Sequence, residues 1–446
     1  MRIVIAGAGA VGTHLAKLLC RERHDIILLD EMEERLSSMA ANFDLMTVQG
    51  NCTSMSLLKE INIESTDLFV AVTPEESQNI LACSMAKHLG AKKTLARVSQ
   101  REYASESNLK FMTSHGVDAI ICPENLAAEE IAAALKTSWV RQYWEFANGA
   151  LVLIGVKIRE TAEILNRKLC EIGSHDMPYH VAAIKRGNKT LIPGGQDQIC
   201  LYDIVYFTTT KKHIPLVRRI AGKQDYRDVH RAIFLGGSRI SARTALILPE
   251  SMQVSIIEKD PERCRLLSNV LPERITIINA DGRDADLLEQ EGIRQTDAYV
   301  ALTGNSETNT LSCLAAKRMG VEKTVAEVEN LDYMAMAESL DIGTIINKKL
   351  IAASKIHQMM LAADVNQVKC LTFADADVVE FTVKKDAPIT RKPIMELNLP
   401  KSMTIGGLVR KGEGIVVTGK TQILPEDHVI VFCLGSVTHK IEKFFL

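Results

Sequence analysis

Residues 1–19 read MRIVIAGAGAVGTHLAKLL: a short apolar run, glycines at 7, 9 and 12, then apolar residues at helical spacing. A strand, a G-x-G-x-x-G turn and a helix in that order form the context in which a glycine pattern points to a dinucleotide. Gly7 permits the tight turn, Gly9 leaves out a Cβ where a pyrophosphate nears the backbone, and Gly12 lets helix and strand pack closely. The first N–H groups of the helix and the positive end of its dipole then face the phosphates. Asp30 ends the next apolar run, DIILLD, 18 residues beyond Gly12. A carboxylate there accepts hydrogen bonds from the adenosine ribose and repels a 2′-phosphate, which favours NAD over NADP. The plainer reading of the same residues is a tight corner, with Asp30 capping the following helix.

Outward from this stretch, strand and helix alternate. RIVIAG precedes a helical pattern at 12–22, DIILLD one at 31–41, LMTVQG one at 53–61 and LFVAVT one at 76–88; KTLARV, AIICP and a helix starting ENLAAEEIAAAL complete the series. Unbroken Val/Ile/Leu runs between helices predict a parallel sheet covered on both faces. Right-handed crossovers make it doubly wound, with ligands outside the carboxyl ends of the strands. Asn51, Thr73 with Pro74, and Arg97 fall at that rim. Asn51 is suited to adenine or ribose edges, and Arg97 to phosphate or to a neighbouring chain. All are equally compatible with turns or plain surface.

The chain also repeats itself. DLFVAVTPEESQNILACSMAKHLGAKKTLARV (67–98) aligns without a gap on DAYVALTGNSETNTLSCLAAKRMGVEKTVAEV (297–328), pairing Thr73 with Thr303, Asn79 with Asn309 and Cys83 with Cys313. Upstream, Asn51 falls on Asp281 and Asp30 on Glu258. HRAIFLGGSRISARTALIL (230–248) is a degraded copy of the opening stretch: Gly236 and Gly237 remain, but Ser238 and Ser241 replace Gly9 and Gly12. Ser238 narrows the approach of a phosphate, Ser241 crowds the helix–strand contact, and Arg239 adds a cation able to pair with one. A working second site and a vestigial one fit equally well.

A fainter echo links AAIKRGNKTLIPGGQDQICLYDIVYFT (182–208) to GGLVRKGEGIVVTGKTQILPEDHVIVFC (406–433): a hairpin, a turn acid (Asp203 or Asp427) and a closing strand. Each follows a stretch that reads as helical, TAEILNRKLCEI and PITRKPIMELNL. The expected organisation is α/β, with two tandem Rossmann-like doubly wound lobes at 1–138 and 228–365. Each is followed by a small α+β lobe, at 139–222 and 366–446, with polar GKQDYRDVH as the joint. The helices PENLAAEEIAAALKTS and NKKLIAASKIHQMMLAAD carry apolar stripes suited either to packing between units or to closing their own sheets.

Composition narrows the function. At 446 residues, 46% hydrophobic and 24% charged, the chain reads as a globular protein of two to four domains. Its formal charge of −2 provides no basic field for nucleic acid. No apolar stretch reaches the ~18 residues of a membrane span. Ten cysteines stand singly with no C-x-x-C, which argues against zinc ribbons and points to a reducing, cytoplasmic setting. Scattered carboxylates such as Glu129-Glu130 read as solvated helix residues, so no metal site is expected.

The stretches IVIAGAGAVG, IILLD, LFVAVTPEESQNILACSMAK with its repeat, and the small lobe ended by RRIAG resemble the TrkA family over essentially the whole chain. These are the peripheral, nucleotide-binding subunits of Trk-type potassium uptake systems, built of two tandem regulator-of-K+-conductance (RCK) units. The resemblance implies a cytoplasmic ring of identical chains at the inner face of the cell membrane. Such a ring docks on a separate membrane-embedded potassium channel subunit and gates K+ uptake according to bound NAD(H) or, as in relatives, ATP or ADP. The family's ligand positions fall on Gly7, Ala8, Gly9, Ala10 and Val11, with Asp30, Asn51, Thr73, Pro74 and Arg97. In the second unit they fall on Gly236, Gly237, Ser238, Arg239, Ile240, Glu258, Asp281 and Thr303. Family members usually carry an acid where Asn51 stands, and more glycines than residues 236–241 retain.

An NAD-dependent oxidoreductase is the rival class. It requires a substrate domain and a proton-handling group beside the nicotinamide. The small modules are only about 80 residues each, and His14, His88 and His357 stand in no evident catalytic context. No catalytic residue is therefore expected. A regulatory subunit of a different cation transporter would share this architecture, and so would a purely structural scaffold that binds no nucleotide.

Overall fold

Apolar runs without a polar side stay dry only inside a sheet covered on both faces. The first run becomes β1 (Arg2–Ala6), in which Ile3, Val4, Ile5 and Ala6 are fully buried. The computed structural model describes residues 1–20, 24–172, 177–187, 189–360, 365–370, 376–434, 441 and 443–445. Residues 21–22 of the expected first helix and 361–364 of the expected late helix lie outside the described residues.

Around β1 the chain adds α1 (Ala10–Cys20), β2 (Asp25–Asp30), α2 (Glu33–Asn42), β3 (Met46–Gln49), α3 (Met55–Glu60) and β4 (Leu68–Ala71). It continues through α4 (Glu76–His88), β5 (Lys93–Arg97), α5 (Glu106–Ser114), β6 (Ala119–Ile121) and α6 (Pro123–Lys136). The strands are parallel in the order β3-β2-β1-β4-β5-β6, the doubly wound arrangement expected. Alternate strand residues feed two cores. Ile3, Ile5, Leu28 and Val70 face one, while Val4, Ala6, Leu29 and Phe69 face the other. Helix α5 has no counterpart in the expected series.

The small lobe comprises β7 (Gln142–Phe146), β8 (Leu151–Lys157), α7 (Leu169–Ile172), β9 (Tyr179–Arg186), β10 (Lys189–Leu191), β11 (Ile204–Thr209) and α8 (Ile214–Ile220). Its sheet order is β10-β9-β11-β8-β7, with antiparallel neighbours. The second Rossmann lobe runs β12 (Arg231–Leu235), α9 (Arg239–Ile247), β13 (Gln253–Glu258), α10 (Pro261–Val270), β14 (Ile275–Asn279) and α11 (Ala285–Gln290). It then adds β15 (Ala298–Ala301), α12 (Ser306–Arg318), β16 (Lys323–Glu327), α13 (Leu331–Ser339), β17 (Thr344–Ile346) and α14 (Lys348–Met360). Its order, β14-β13-β12-β15-β16-β17, repeats the first lobe strand for strand.

The last lobe has β18 (Val365–Cys370), β19 (Ala376–Thr382), β20 (Met403–Arg410), β21 (Glu413–Val416) and β22 (His428–Leu434). Their order, β18-β19-β22-β20-β21, matches the first small lobe read from the other edge. The duplication reaches side chains. Arg186 Nε donates to Asp203 Oδ1 at 2.9 Å, and Arg410 Nε donates to Asp427 Oδ1 at 2.9 Å. Both acids are 1% exposed.

Two expected helices are corrected. In TAEILNRKLCEI only Leu169–Ile172 is helical. Asn166 adopts a left-handed φ of 59°, and the N–H groups of Asn166, Leu169 and Cys170 donate to Ile199, Asp197 and Gly195. In PITRKPIMELNL only two 3₁₀ turns form, at Pro388–Thr390 and Ile394–Glu396. There Pro393 supplies no donor, and Ile394 and Met395 donate to Thr421 and Gly419. In both places a facing loop takes the backbone hydrogen bonds that a helix would keep for itself.

The residues group into two units, Met1–Ala127 with Lys348–Leu361, and Ala128–Asn347 with Ala362–Leu446. Helix α14, although it follows the second sheet, thus belongs with the first lobe. Its Ala352, Ala353 and Ile356 are fully buried in the same core as Leu15 and Leu19 of α1. Of the two readings of its apolar stripe, packing away from its own sheet is the one realised.

Within the second unit, Trp144, Phe146 and Leu151 of the first small lobe share a core with Val378, Val409, Ile430 and Phe432 of the last. There too the Lys323 ammonium is buried, donating to the Val140 carbonyl at 2.7 Å and to Thr344 Oγ1 at 3.1 Å. Burial, and then the charge of Arg141, lowers its pKa from the ordinary 10.5 to about 7. Between those values the unfolded chain holds a proton that the folded one lacks, so folding stability rises with pH. The slope approaches ~1.4 kcal/mol per pH unit. Denaturant titrations from pH 7 to 10 should show this rise in the wild type and a flatter profile in Lys323→Met.

Candidate nucleotide crevice

The rim of the first sheet opens where β1 and β4 lie side by side and their connections leave in opposite directions, the switch point of the fold. Gly7 follows β1 with φ +111°, and a Cβ there would lie 3.0 Å from the Thr73 nitrogen. Only a glycine gives both the backbone conformation and the close approach. The Gly7 N–H donates to the Leu29 carbonyl at 2.7 Å, and Ala8 N–H donates to Asp30 Oδ2 at 2.6 Å. Asp30 Oδ1 accepts from Met32 N–H at 2.9 Å. The acid therefore ties the glycine turn to the end of β2 while keeping lone pairs for a further donor.

Gly12 and Gly9 have opposite surroundings. A Cβ at Gly12 would lie 1.8 Å from the Gly7 carbonyl oxygen, so helix and strand meet on bare backbone. A Cβ at Gly9 would meet nothing within 4 Å. That open space lies directly before the first turn of α1, where Ala10, Val11 and Gly12 have N–H groups without intrahelical partners. The Val11 side chain is buried, so its backbone is what it can offer a ligand.

Asn51 follows β3, and its Oδ1 accepts from Thr53 N–H and Oγ1–H at 2.7 and 2.6 Å. Beside it Cys52 is buried; burial, and then the carboxylates of Glu31 and Asp30, push its thiol up to about 11. Thr73 follows β4, with Pro74 exposed beside it. Arg97 ends β5, its guanidinium 3.8 Å from Glu124 Oε1 and its Nε buried without a partner.

Asn79 ties the ends of β4 and β5 together, a role the sequence reading did not assign. Fully buried on α4, its Oδ1 accepts from Thr73 N–H (2.9 Å) and Thr73 Oγ1–H (2.7 Å). Its Nδ2 donates to the carbonyls of Thr73 (3.0 Å) and Arg97 (2.9 Å). Asn309 makes the same four contacts with Thr303 and Glu327 in the second lobe. The signal was available: the two asparagines occupy identical places in the gapless repeat.

The second crevice is filled from within. Ser238 Oγ caps α9 by accepting from the Ser241 N–H, and Ser241 Oγ–H donates to the Gly236 carbonyl at 2.5 Å. A Cβ at Gly237 would lie 2.5 Å from Leu267 Cδ1, whereas its counterpart in the first lobe, Ala8, carries one. Glu258 is buried, accepting from Gly237 N–H (2.7 Å) and Asp260 N–H (2.9 Å), as Asp30 does. Asp281 is engaged by Arg283 at 2.6 Å, which holds its carboxyl down at about 2. Arg239 is exposed and the Ile240 side chain buried. Thr303 sits as Thr73 does. The expected rim residues thus lie in or after the carboxyl ends of their strands, and the glycine turn is open in the first lobe and self-capped in the second.

Two Rossmann lobes, each followed by a five-stranded antiparallel lobe, define a tandem RCK-fold protein. No helix among the described residues is long and apolar enough to cross a membrane. The TrkA-N domain family matches residues 3–123 and 232–348, and the TrkA-C domain family matches 378–446. The Trk system potassium uptake protein TrkA of Halomonas elongata is 30% identical over 442 residues, covering 98% of this chain and 96% of that protein. The TrkA homolog of Archaeoglobus fulgidus is 29% identical over 450 residues and 100% of both. The chain belongs to the TrkA family of Trk system potassium uptake proteins.

Among solved structures, the RCK domain of GsuK superposes with a TM-score of 0.62 at 13% identity, covering 99% of this chain and 94% of that one. A structure described as the GsuK channel bound to NAD gives a TM-score of 0.61 at 13% identity, covering 100% of this chain and 78% of that one.

Proposed function

We propose that the chain is a nucleotide-sensing regulatory subunit of potassium uptake, acting at the inner face of the cell membrane on a separate channel subunit. Copies assemble as a ring, and nucleotide occupancy of the first crevice sets the ring's conformation. The observation that carries this reading is the open space at Gly9 before the bare first turn of α1, with the Asp30 carboxylate beside it. Those features suit a diphosphate and an adenosine ribose. The names of the relatives, potassium uptake proteins rather than enzymes, favour a signal that is bound and transmitted over one that is turned over. A ligand shifts such an equilibrium only by binding one conformation better than the other.

NAD(H) is the proposed ligand, with ATP or ADP as the competing adenine nucleotides. The self-capped second turn makes the first lobe the principal sensor. Calorimetric titration of NADH, NAD+, ATP and ADP should therefore give one binding event per chain in the wild type. Asp30→Ala should weaken it at least tenfold, and Glu258→Ala should leave it unchanged. Two independent events, with one lost in Glu258→Ala, would instead make the second lobe a working site. Turnover of NADH by the isolated chain would overturn the reading.

A further inference from the structure

The second unit holds a concentration of positive charge that neither crevice uses. Arg141 before β7, Lys157 at the end of β8, Arg159 just beyond it and Lys317 on α12 all converge on Asp341, after α13. Arg141 Nη2 and Arg159 Nη2 each contact one oxygen of this carboxylate. Lys157 Nζ lies 3.1 Å from Oδ1, and Lys317 Nζ lies 3.6 Å from Oδ2 while donating to the Asp341 carbonyl at 2.6 Å. The other nearby acid, Glu338, is held by Lys185 at 2.6 and 2.9 Å. Among the described residues, one carboxylate thus serves four cations.

The surroundings sharpen the imbalance. Lys223 is buried, and burial followed by repulsion from Arg159 and Arg141 lowers its pKa to about 8. Asp341 responds in the opposite sense: burial alone would raise its carboxyl, but the cations hold it below the usual carboxylate range. The cluster is not sealed, since the side chains of Arg141, Lys157, Arg159 and Lys317 are 16–30% exposed. Arg141, Lys157, Glu338, Asp341 and Thr344 line a small cavity that opens to solvent. Beside it the exposed Tyr202 ring carries Lys157 Nζ at 5.8 Å and the Arg159 guanidinium at 5.4 Å.

Partly buried like charges oppose one another unless an anion joins them. Guanidinium forks and ammonium groups together suit the several oxygens of a phosphate chain. We infer that this cavity, between the first small lobe and the α13–β17 edge of the second Rossmann lobe, binds a polyanion carrying two or more linked phosphates. The ligand supplies the negative charge that Asp341 alone does not. Because its contacts come from both lobes, its occupancy fastens one to the other.

Inorganic pyrophosphate is the probe, used with the full-length chain in which Gly9→Ala closes the first crevice to phosphate, the background of every variant here. Pyrophosphate should bind the Gly9→Ala chain, and the added double variant Lys157→Gln/Arg159→Gln should bind it at least tenfold more weakly. Asp341→Asn guards against mere misfolding: with the resident anion gone, pyrophosphate should bind several-fold tighter and raise the melting temperature more than in the Gly9→Ala chain. ADP that displaces pyrophosphate from the Gly9→Ala chain would assign the site to a nucleotide's phosphate tail. ADP that does not would assign it to a free phosphate chain. The inference is overturned if pyrophosphate fails to bind the Gly9→Ala chain. It is equally overturned if binding survives in the double variant, or if Asp341→Asn loses stability that pyrophosphate does not restore.

Discussion

Gly12→Ala is expected to lower the stability of the first lobe by at least ~3 kcal/mol, the upper end of what overpacking usually costs. The added Cβ would stand 1.8 Å from the Gly7 carbonyl oxygen, a backbone atom that no rotamer can move aside. Helix α1 would have to leave β1, and close-packed interiors give little for such a shift. The second lobe has a serine at this place and is built around it, with the hydroxyl bonded to the Gly236 carbonyl. Gly9→Ala is the control that separates fold from binding. Its Cβ meets nothing within 4 Å, so the melting temperature should stay near that of the wild type. Nucleotide affinity should nevertheless fall at least tenfold, because the methyl group takes the space of the phosphates. A stable Gly12→Ala, or a Gly9→Ala that binds normally, would show that the turn has been misread.

Asn79→Ala removes four hydrogen bonds at once from a fully buried position. Each buried group left unpaired costs ~1–3 kcal/mol, so a loss of at least ~3 kcal/mol is expected after partial relaxation. Thr73 and Arg97 would lose their common anchor, and nucleotide binding should weaken with them. Asn309→Ala cuts the matching contacts in the second lobe and should cost similar stability. If the first crevice is the sensor, Asn309→Ala should leave nucleotide affinity intact. Urea unfolding and NADH titration of the two variants, taken together, distinguish a structural anchor from one that also positions the ligand.

The Rossmann lobes were legible because their information is local and repeated. An apolar run such as IVIA can be stable only between two layers, and the glycine spacing announces the turn that follows it. The gapless repeat disclosed the second lobe, and its two serines marked a changed turn while leaving a working and a vestigial site equally open. What escaped depends on contacts between segments far apart in the chain. TAEILNRKLCEI carries a helical pattern, yet Ile199, Asp197 and Gly195 claim its N–H groups. The cluster on Asp341 joins residues from 141 to 341, and nothing in the neighbourhood of any one of them signals the other four. The destination of α14 is a third case: its stripe of small residues was visible, but the core that it completes was not.

That helix also bears on how such a chain can come apart. Ala352, Ala353 and Ile356, contributed by the later half, stand among the innermost residues of the earlier one. A protein severed after its first small lobe would therefore leave Leu15 and Leu19 facing water. The earlier half thus depends on the later one for part of its own interior.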